Sequence, residues 1–307
     1  KQRVSKIRAR GFISTERLNL KVYKQQKEIV VLSESWEKLL KEQKGLKASA
    51  YVILENGKFA QVKENDLSPA AGSVKIAILL IALQMLDRGE LIWNEPIKLN
   101  KNAIANGSGW IRYQPIGKNF PLHEIAMEMI RVSDNTATNL LIQRIGGIEE
   151  LNKRLKNIGL NQTRLKTFLP DLEGSNTTSA LEMVQIIIMA ESRNILSSKS
   201  RDLFRELMKM SVSNLLLPDG ILKGLGIPPG NTDYKLLVEG FRVYNKNGDI
   251  GKAYVDAGLI QMPDGSRAIA SFIVQGPFND PRSSELIRNM ASAMVSAIKP
   301  IDSKEQN

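Results

Sequence analysis

The hydrophobic pattern changes period several times along the chain. Residues 34–44, with Trp36, Leu39 and Leu40 on one side, predict an amphipathic helix. A β-prone run over Ala48–Leu54 follows, then Glu55-Asn56-Gly57-Lys58, then Phe59–Val62. Asn-Gly between two such runs predicts a hairpin with a type I′ turn, in which both central residues take positive φ. From about 70 to 215 the spacing is helical. Ile148, Leu151, Leu155 and Ile158 share a face, and Leu203, Leu207 and Met210 repeat the pattern. Ser179 and Glu182 predict a capping box ahead of Met183–Met189. Extended character returns at Leu236–Tyr244, Ala253–Met262 and Ala268–Gln275, the last two joined by a Pro263-Asp264-Gly265 turn. Asp280 as N-cap and Pro281 as first helical residue then open a final helix with the stripe Leu286, Met290, Met294 and Ala297.

A two-stranded hairpin alone is marginal in water. The early hairpin and the late meander are therefore expected to join in one five-stranded antiparallel sheet. Helices near both termini would flank it, with an all-helical domain inserted from its side: an α/β (α+β) fold. The expected division is a basic arm at 1–30, a sheet domain from 31–68 and 216–300, a helical domain at 69–215 and a tail at 301–307. A crevice between the two domains is the expected ligand site.

Composition narrows the chemistry. The longest apolar run, Ile76 to Leu83, is far short of the ~20 residues that cross a bilayer. The absence of cysteine excludes disulfides, thiolate metal sites and a cysteine nucleophile. A single histidine, His123, argues against a Ser-His-Asp triad or a multi-histidine metal site, and is expected at the surface. Neither metal nor cofactor is expected. Of the net charge of +11, residues 1–30 carry +7, with nine Lys and Arg against Glu16 and Glu28. That arm fits an anionic membrane surface, and a place downstream of an export signal or membrane anchor preceding Lys1. Aromatic residues are sparse at 6% and no nucleic-acid motif occurs, so DNA or RNA is not an expected partner.

Three short segments carry the chemical signal. They are Pro69-Ala-Ala-Gly72-Ser73-Val-Lys75 opening a helix over Ile76–Leu86, Ser133-Asp134-Asn135 in the helical block, and Lys246-Asn247-Gly248 at the end of a strand. Their order resembles the S-x-x-K, S-D-N and K-T-G elements of penicillin-binding proteins and class A β-lactamases. The likeness is greatest to D-alanyl-D-alanine carboxypeptidases built like class A β-lactamases, and covers roughly residues 34–298. It includes Gly107–Ile116 and Leu169–Ser179.

The resemblance implies a β-lactamase/transpeptidase-like fold and a serine acyl-transfer site, in an extracytoplasmic or periplasmic space where cell-wall peptides lie. It implies catalytic positions at Gly72, Lys75 and Ser133, with Asn135, Lys246, Asn247 and Gly248 binding substrate. Two departures matter. Three residues before Lys75, where the family has its attacking serine, stands Gly72, and glycine supplies no hydroxyl. The third element has Asn247 in place of threonine.

Ser73 lies two positions from Lys75, a spacing that does not face it on a helix, and is expected to cap the first turn; Ser68 reads as an N-cap. Glu173 is the only glutamate in the loop corresponding to the deacylating one, and is expected at the loop surface. The expected function is therefore an inactive or impaired homologue that binds a peptidoglycan stem peptide or a β-lactam without covalent capture. One alternative is an active D-alanyl-D-alanine carboxypeptidase or β-lactamase whose serine has been replaced at position 72. Another is a scaffold or membrane-surface module acting through the basic arm. A different hydroxyl within reach of Lys75 and open to the cleft would restore a nucleophile.

Overall fold

The computed structural model describes residues 23–212 and 216–298; most of the basic arm and the tail at 301–307 lie outside them. In chain order the strands are β1 (Lys27–Glu28), β2 (Lys47–Leu54), β3 (Lys58–Val62), β4 (Ser68–Pro69), β5 (Pro96–Lys98), β6 (Asn119–Pro121), β7 (Thr177–Thr178), β8 (Arg242–Asp249), β9 (Ala253–Gln261) and β10 (Arg267–Gln275). Six of them form the main sheet, in the order β1-β3-β2-β10-β9-β8. Five are the antiparallel strands that the alternation predicts. The sixth, β1, is a two-residue parallel addition that places Lys27 opposite Lys58.

The helices are α1 (Val30–Lys41), α2 (Val74–Asp87), α3 (Leu122–Arg131), α4 (Asn135–Ile145), α5 (Ile148–Asn157), α6 (Ala180–Glu191), α7 (Ser198–Lys209), α8 (Leu217–Gly224), α9 (Thr232–Val238) and α10 (Pro281–Ile298). Each face of the sheet has its own apolar core. On one face α1, α8 and α10 pack on Ala50, Val52, Phe272 and Val274. There Trp36 meets Phe272 edge-on at 5.5 Å and donates from Nε1 to the carbonyl of Met290 at 2.8 Å. On the other face Tyr51, Ile53, Val255 and Ile269 join the core of the helical block. With both faces covered, the central strands bury nearly every side chain, so they read as apolar runs. Helix α2 is buried on all sides from Val74 to Met85, as expected of a helix apolar all round. Its one charged residue there is Lys75.

Several local expectations are corrected. At the hairpin only Gly57 lies in the left-handed region, at φ 85°. Gly57 N–H donates to Leu54 at 2.8 Å, closing a three-residue loop rather than a type I′ turn. Leu236–Val238, read as strand, is the last turn of α9, which α8 precedes. Leu236 is buried while Leu237 and Val238 face outward, so an apolar triplet imitates extended chain. Ser179 caps α6 through the Glu182 N–H at 3.2 Å. The Glu182 carboxylate does not complete the box; it accepts from the backbone of Asn161, Gln162 and Thr163. Ser68 is no N-cap, since it lies in β4 paired with Thr178. Asp280 does cap α10, accepting from Arg282 N–H at 2.9 Å.

Candidate active site

Gly72, Lys75, Ser133, Asn135, Lys246, Asn247 and Gly248 all line one cleft of about 370 Å³. Five pieces of chain build it: the turn entering α2, the loop at Gly107 and Ser108, the loop entering α4, the end of β8 with the residues just after it, and the loop over residues 169–172. Asp134 caps α4 by accepting from Ala137 N–H at 2.8 Å, and its other oxygen accepts from Trp110 and Ile111 N–H at 2.7 and 3.0 Å. The aspartate of the second element therefore ties the 106–111 loop to the serine and asparagine beside it.

Gly72 sits in a short 3-10 turn, Ala71–Ser73, at the mouth of α2. Its φ is not positive, so the backbone does not demand glycine there. A Cβ at this position would lie 3.2 Å from Gly248 Cα, 3.3 Å from the Asn247 carbonyl and 3.5 Å from Ser133 Oγ. A side chain would thus fit after shifts of a few tenths of an ångström, pointing at Ser133. Gly248 is the opposite case: its Cβ would fall 2.3 Å from Gly72 N, so the strand approaches the turn through a position only glycine can occupy.

Lys75 is fully buried and donates to the Ser133 carbonyl at 2.6 Å, to Ser133 Oγ at 2.9 Å and to Asn135 Oδ1 at 2.9 Å. Burial pushes its pKa well below the ordinary lysine value; the Lys246 charge adds to this and Asp134 opposes it. Ser133 is held at φ 58°, a region costly for a residue with Cβ. It is half-buried and lines the cleft, so it is the hydroxyl that stands within reach of Lys75 and faces ligand space. Ser73 is not: it is buried and its Oγ donates to the Ala70 carbonyl at 2.6 Å. That bond also replaces the capping role expected of it.

Lys246, equally buried, donates to the Asn247 carbonyl at 2.7 Å. Burial pushes its pKa down to about 8, with Asp256 opposing. Asp256 lies across the strand pair from Asn247 and is fully buried. Its carboxylate accepts from Asn245 Nδ2 at 2.7 Å and from Leu217 N–H at 2.8 Å. Burial pushes its pKa up to about 6, against the lowering effect of those bonds and of Lys246. Sequence reasoning missed Asp256. The one available signal is an acid inside the otherwise apolar run Ala253–Ile260.

The loop wall was also missed. Leu169 faces the cleft, with its backbone clamped by Asn139, which accepts from Leu169 N–H at 2.9 Å and donates to its carbonyl at 2.8 Å. Asp171 lines the cleft, but its oxygens accept from Ser175 and Asn176 N–H within the loop. Glu173 lies outside the lining; it is exposed and paired with Lys252 at 3.2 Å. His123 is exposed against Trp93. The arrangement can move a proton between Lys75 and Ser133, and sets the Lys246 ammonium in the cleft wall, where an anion can meet it; the three donors of the Lys75 ammonium are taken by Ser133 and Asn135. It presents no attacking oxygen from residue 72.

Residues 31–298 match the family described as the beta-lactamase enzyme family. A β-lactamase of Bacteroides uniformis is 23% identical over 276 residues, 83% of this chain and 88% of its own. The β-lactamase BRO-1 of Moraxella catarrhalis is 27% identical over 164 residues, so this chain spans about half the length of that relative. Among solved structures, that of PBP-A has 33% identity and a TM-score of 0.82, covering 90% of this chain and 98% of that one. An ancestral class A β-lactamase, at 21% identity and a TM-score of 0.73, shares the fold. Over most of its length, this chain belongs to the beta-lactamase enzyme family.

Proposed function

We propose that this chain is a penicillin-binding-protein-like member of its family whose acyl transfer through residue 72 is lost; Ser133, the hydroxyl that does meet Lys75 in the cleft, acts as the relay serine of the second element and not as a nucleophile, so the cleft binds its ligand without covalent capture. The observation that carries the reading is Gly72, which has no side chain where an added Cβ would stand 3.5 Å from Ser133 Oγ. In the family the first serine attacks a carbonyl, and the lysine one turn on takes its proton. Removing the nucleophile of a comparable serine hydrolase costs on the order of 10⁶ in turnover and leaves binding. The Lys246 ammonium favours a ligand bearing a carboxylate, as a D-alanyl-D-alanine stem peptide or a β-lactam does. Such a ligand belongs to an extracytoplasmic space. A mutant of PBP-A has been solved as an acyl-enzyme complex with penicillin-G, which makes penicillin the natural probe.

The experiment is intact-mass analysis after incubation with penicillin-G, run beside the Gly72→Ser variant. The expected result is no adduct on this chain and one adduct on the variant. An adduct on this chain would overturn the reading, and its mapping to Ser133 would identify the replacement nucleophile. The room for a side chain at residue 72 supports the second reading, an active enzyme whose serine was replaced. Rapid acylation and hydrolysis by the variant would favour it, whereas acylation without turnover favours a binding protein.

A further inference from the structure

Lys246 is a buried cation held by neutral groups. Among the described residues, the acceptors of its ammonium are the Asn247 carbonyl at 2.7 Å and Asn247 Oδ1 at 3.4 Å. Burying a charge in such surroundings is costly, and a compensating charge nearby lowers the cost. The other buried lysine of the cleft, Lys75, has the carboxylate of Asp134 near it.

For Lys246 the strand pairing supplies Asp256. In the β8–β9 register Asn247 stands opposite Asp256 and Lys246 opposite Ala257. Lys246 and Asp256 are therefore diagonal neighbours, about 6 Å apart at Cα. Asp256 is fully buried, and its carboxylate turns towards α8, accepting from Leu217 N–H at 2.8 Å. It also accepts from Asn245 Nδ2 at 2.7 Å. Asn245 immediately precedes Lys246, so this carboxylate grips the strand that carries the lysine. The other charges of the elements packed here are engaged elsewhere. Asp219 of α8 meets Arg288 of α10, Lys223 pairs with Glu285, and Arg282 pairs with Asp280. On β8 Asp249 accepts from Gly251 N–H, with Tyr254 of β9 opposite it, and β10 sets Phe272 opposite Asp256. Lys246 is the charge that acts on Asp256, and Asp256 is the charge that offsets burial at Lys246.

We propose that Asp256 is the positioning residue of the ligand-binding lysine: it holds β8 at Asn245 and supplies, from behind the strand, the counter-charge that keeps the Lys246 ammonium in the cleft wall. A counter-ion placed inside the cleft would have to be displaced by an incoming carboxylate. Asp256 takes its hydrogen bonds from Leu217 and Asn245 instead, so it and the ligand do not compete for the same donors. The consequence for ligand rests on the proposed reading of the cleft as a carboxylate site; the coupling of the two residues does not.

The test follows Lys246 by NMR in the full chain carrying isotope-labelled lysine, its signal assigned by its loss in Lys246→Met. In the unaltered chain that signal is expected to titrate near pH 8, with a smaller step near pH 6 where Asp256 loses its proton. In Asp256→Asn the step should vanish and the main midpoint should move down by about one pH unit. Calorimetric titration of a D-alanyl-D-alanine peptide should give affinities equal within about twofold at about pH 6, and about fivefold weaker in the variant at about pH 8. An unmoved midpoint would overturn the proposal. So would the absence of a step near pH 6 in the unaltered chain, a result that needs no folded variant. An equal loss of affinity at both pH values would overturn it too, leaving Asp256 a structural residue. If the unaltered chain binds no peptide, the ligand reading fails, while the lysine titration still decides the coupling.

Discussion

Lys75 holds Ser133 by two atoms of that residue, the carbonyl oxygen at 2.6 Å and the hydroxyl at 2.9 Å. The pairing explains how Ser133 stays at a positive φ. A buried ammonium needs acceptors on every side, and Ser133 with Asn135 supplies them. The lysine is thus a structural hub that joins α2 to the loop entering α4.

The two glycines that touch across the cleft should respond in opposite ways to a methyl group. Gly72→Ala places Cβ at 3.2 Å or more from its neighbours, and is expected to change stability by less than about 1 kcal/mol. Gly248→Ala drives Cβ to 2.3 Å from Gly72 N, and should cost about 2–3 kcal/mol by pushing strand and turn apart. Urea unfolding midpoints of the two variants check the contrast.

Glu182 provides a test of the loop that walls the cleft. Its carboxylate accepts from the N–H groups of Asn161, Gln162 and Thr163 and from Thr163 Oγ1. Glu182→Ala should destabilise by about 3–5 kcal/mol, because several buried donors lose their partner together. Glu182→Gln, which keeps one acceptor oxygen, should cost less than half of that, read by thermal unfolding.

Lys246 fixes the pH dependence of ligand binding. Its depressed pKa of about 8 means that the ammonium is present below that pH and lost as pH rises through it. Affinity for a carboxylate ligand should be flat from about pH 6 to 7.5, then fall by up to about tenfold per unit above 8. Lys75, depressed by the same burial, acts in the same direction. Calorimetric titration of a D-alanyl-D-alanine peptide checks this, and Lys246→Met should bind weakly with most of the slope removed.

Asp256 acts on stability as well, and its contribution there also falls as pH rises. A folded-state pKa near 6, above the ordinary value near 4, gives stability that is present at pH 4 and lost as pH rises through 6. The full effect is about 3 kcal/mol. Asp256→Asn should flatten the stability profile between about pH 4 and 7, measured by urea midpoints across that range.

Much of the architecture is legible in periodicity. The five antiparallel strands, the buried helix α2 and the Asp280 cap follow from residue pattern, because burial on a regular element repeats with its period. Leu236–Val238 misleads because three apolar residues cannot distinguish a helical turn from a strand. Glu182 misleads because a capping box counts spacing alone, while three N–H groups of a distant loop compete for the same carboxylate. At the site, the motifs mark lining residues in three of its five pieces. Gly107–Ser108 and Leu169–Leu172 belong to segments included in the likeness, but they carry no chemistry-bearing motif that would mark them as lining.

What the chain determines by itself is chemical identity. No oxygen extends from residue 72, no cysteine exists, and one histidine stands apart from the three motifs; none of this depends on folding. Folding decided that Ser133 meets Lys75, that Ser73 turns inward to a carbonyl, and that Asp256 lies buried opposite Asn247. The Lys75–Ser133 contact joins residues remote in sequence, and its distance is set by how sheet and helices bury their apolar faces against one another, which no local pattern encodes.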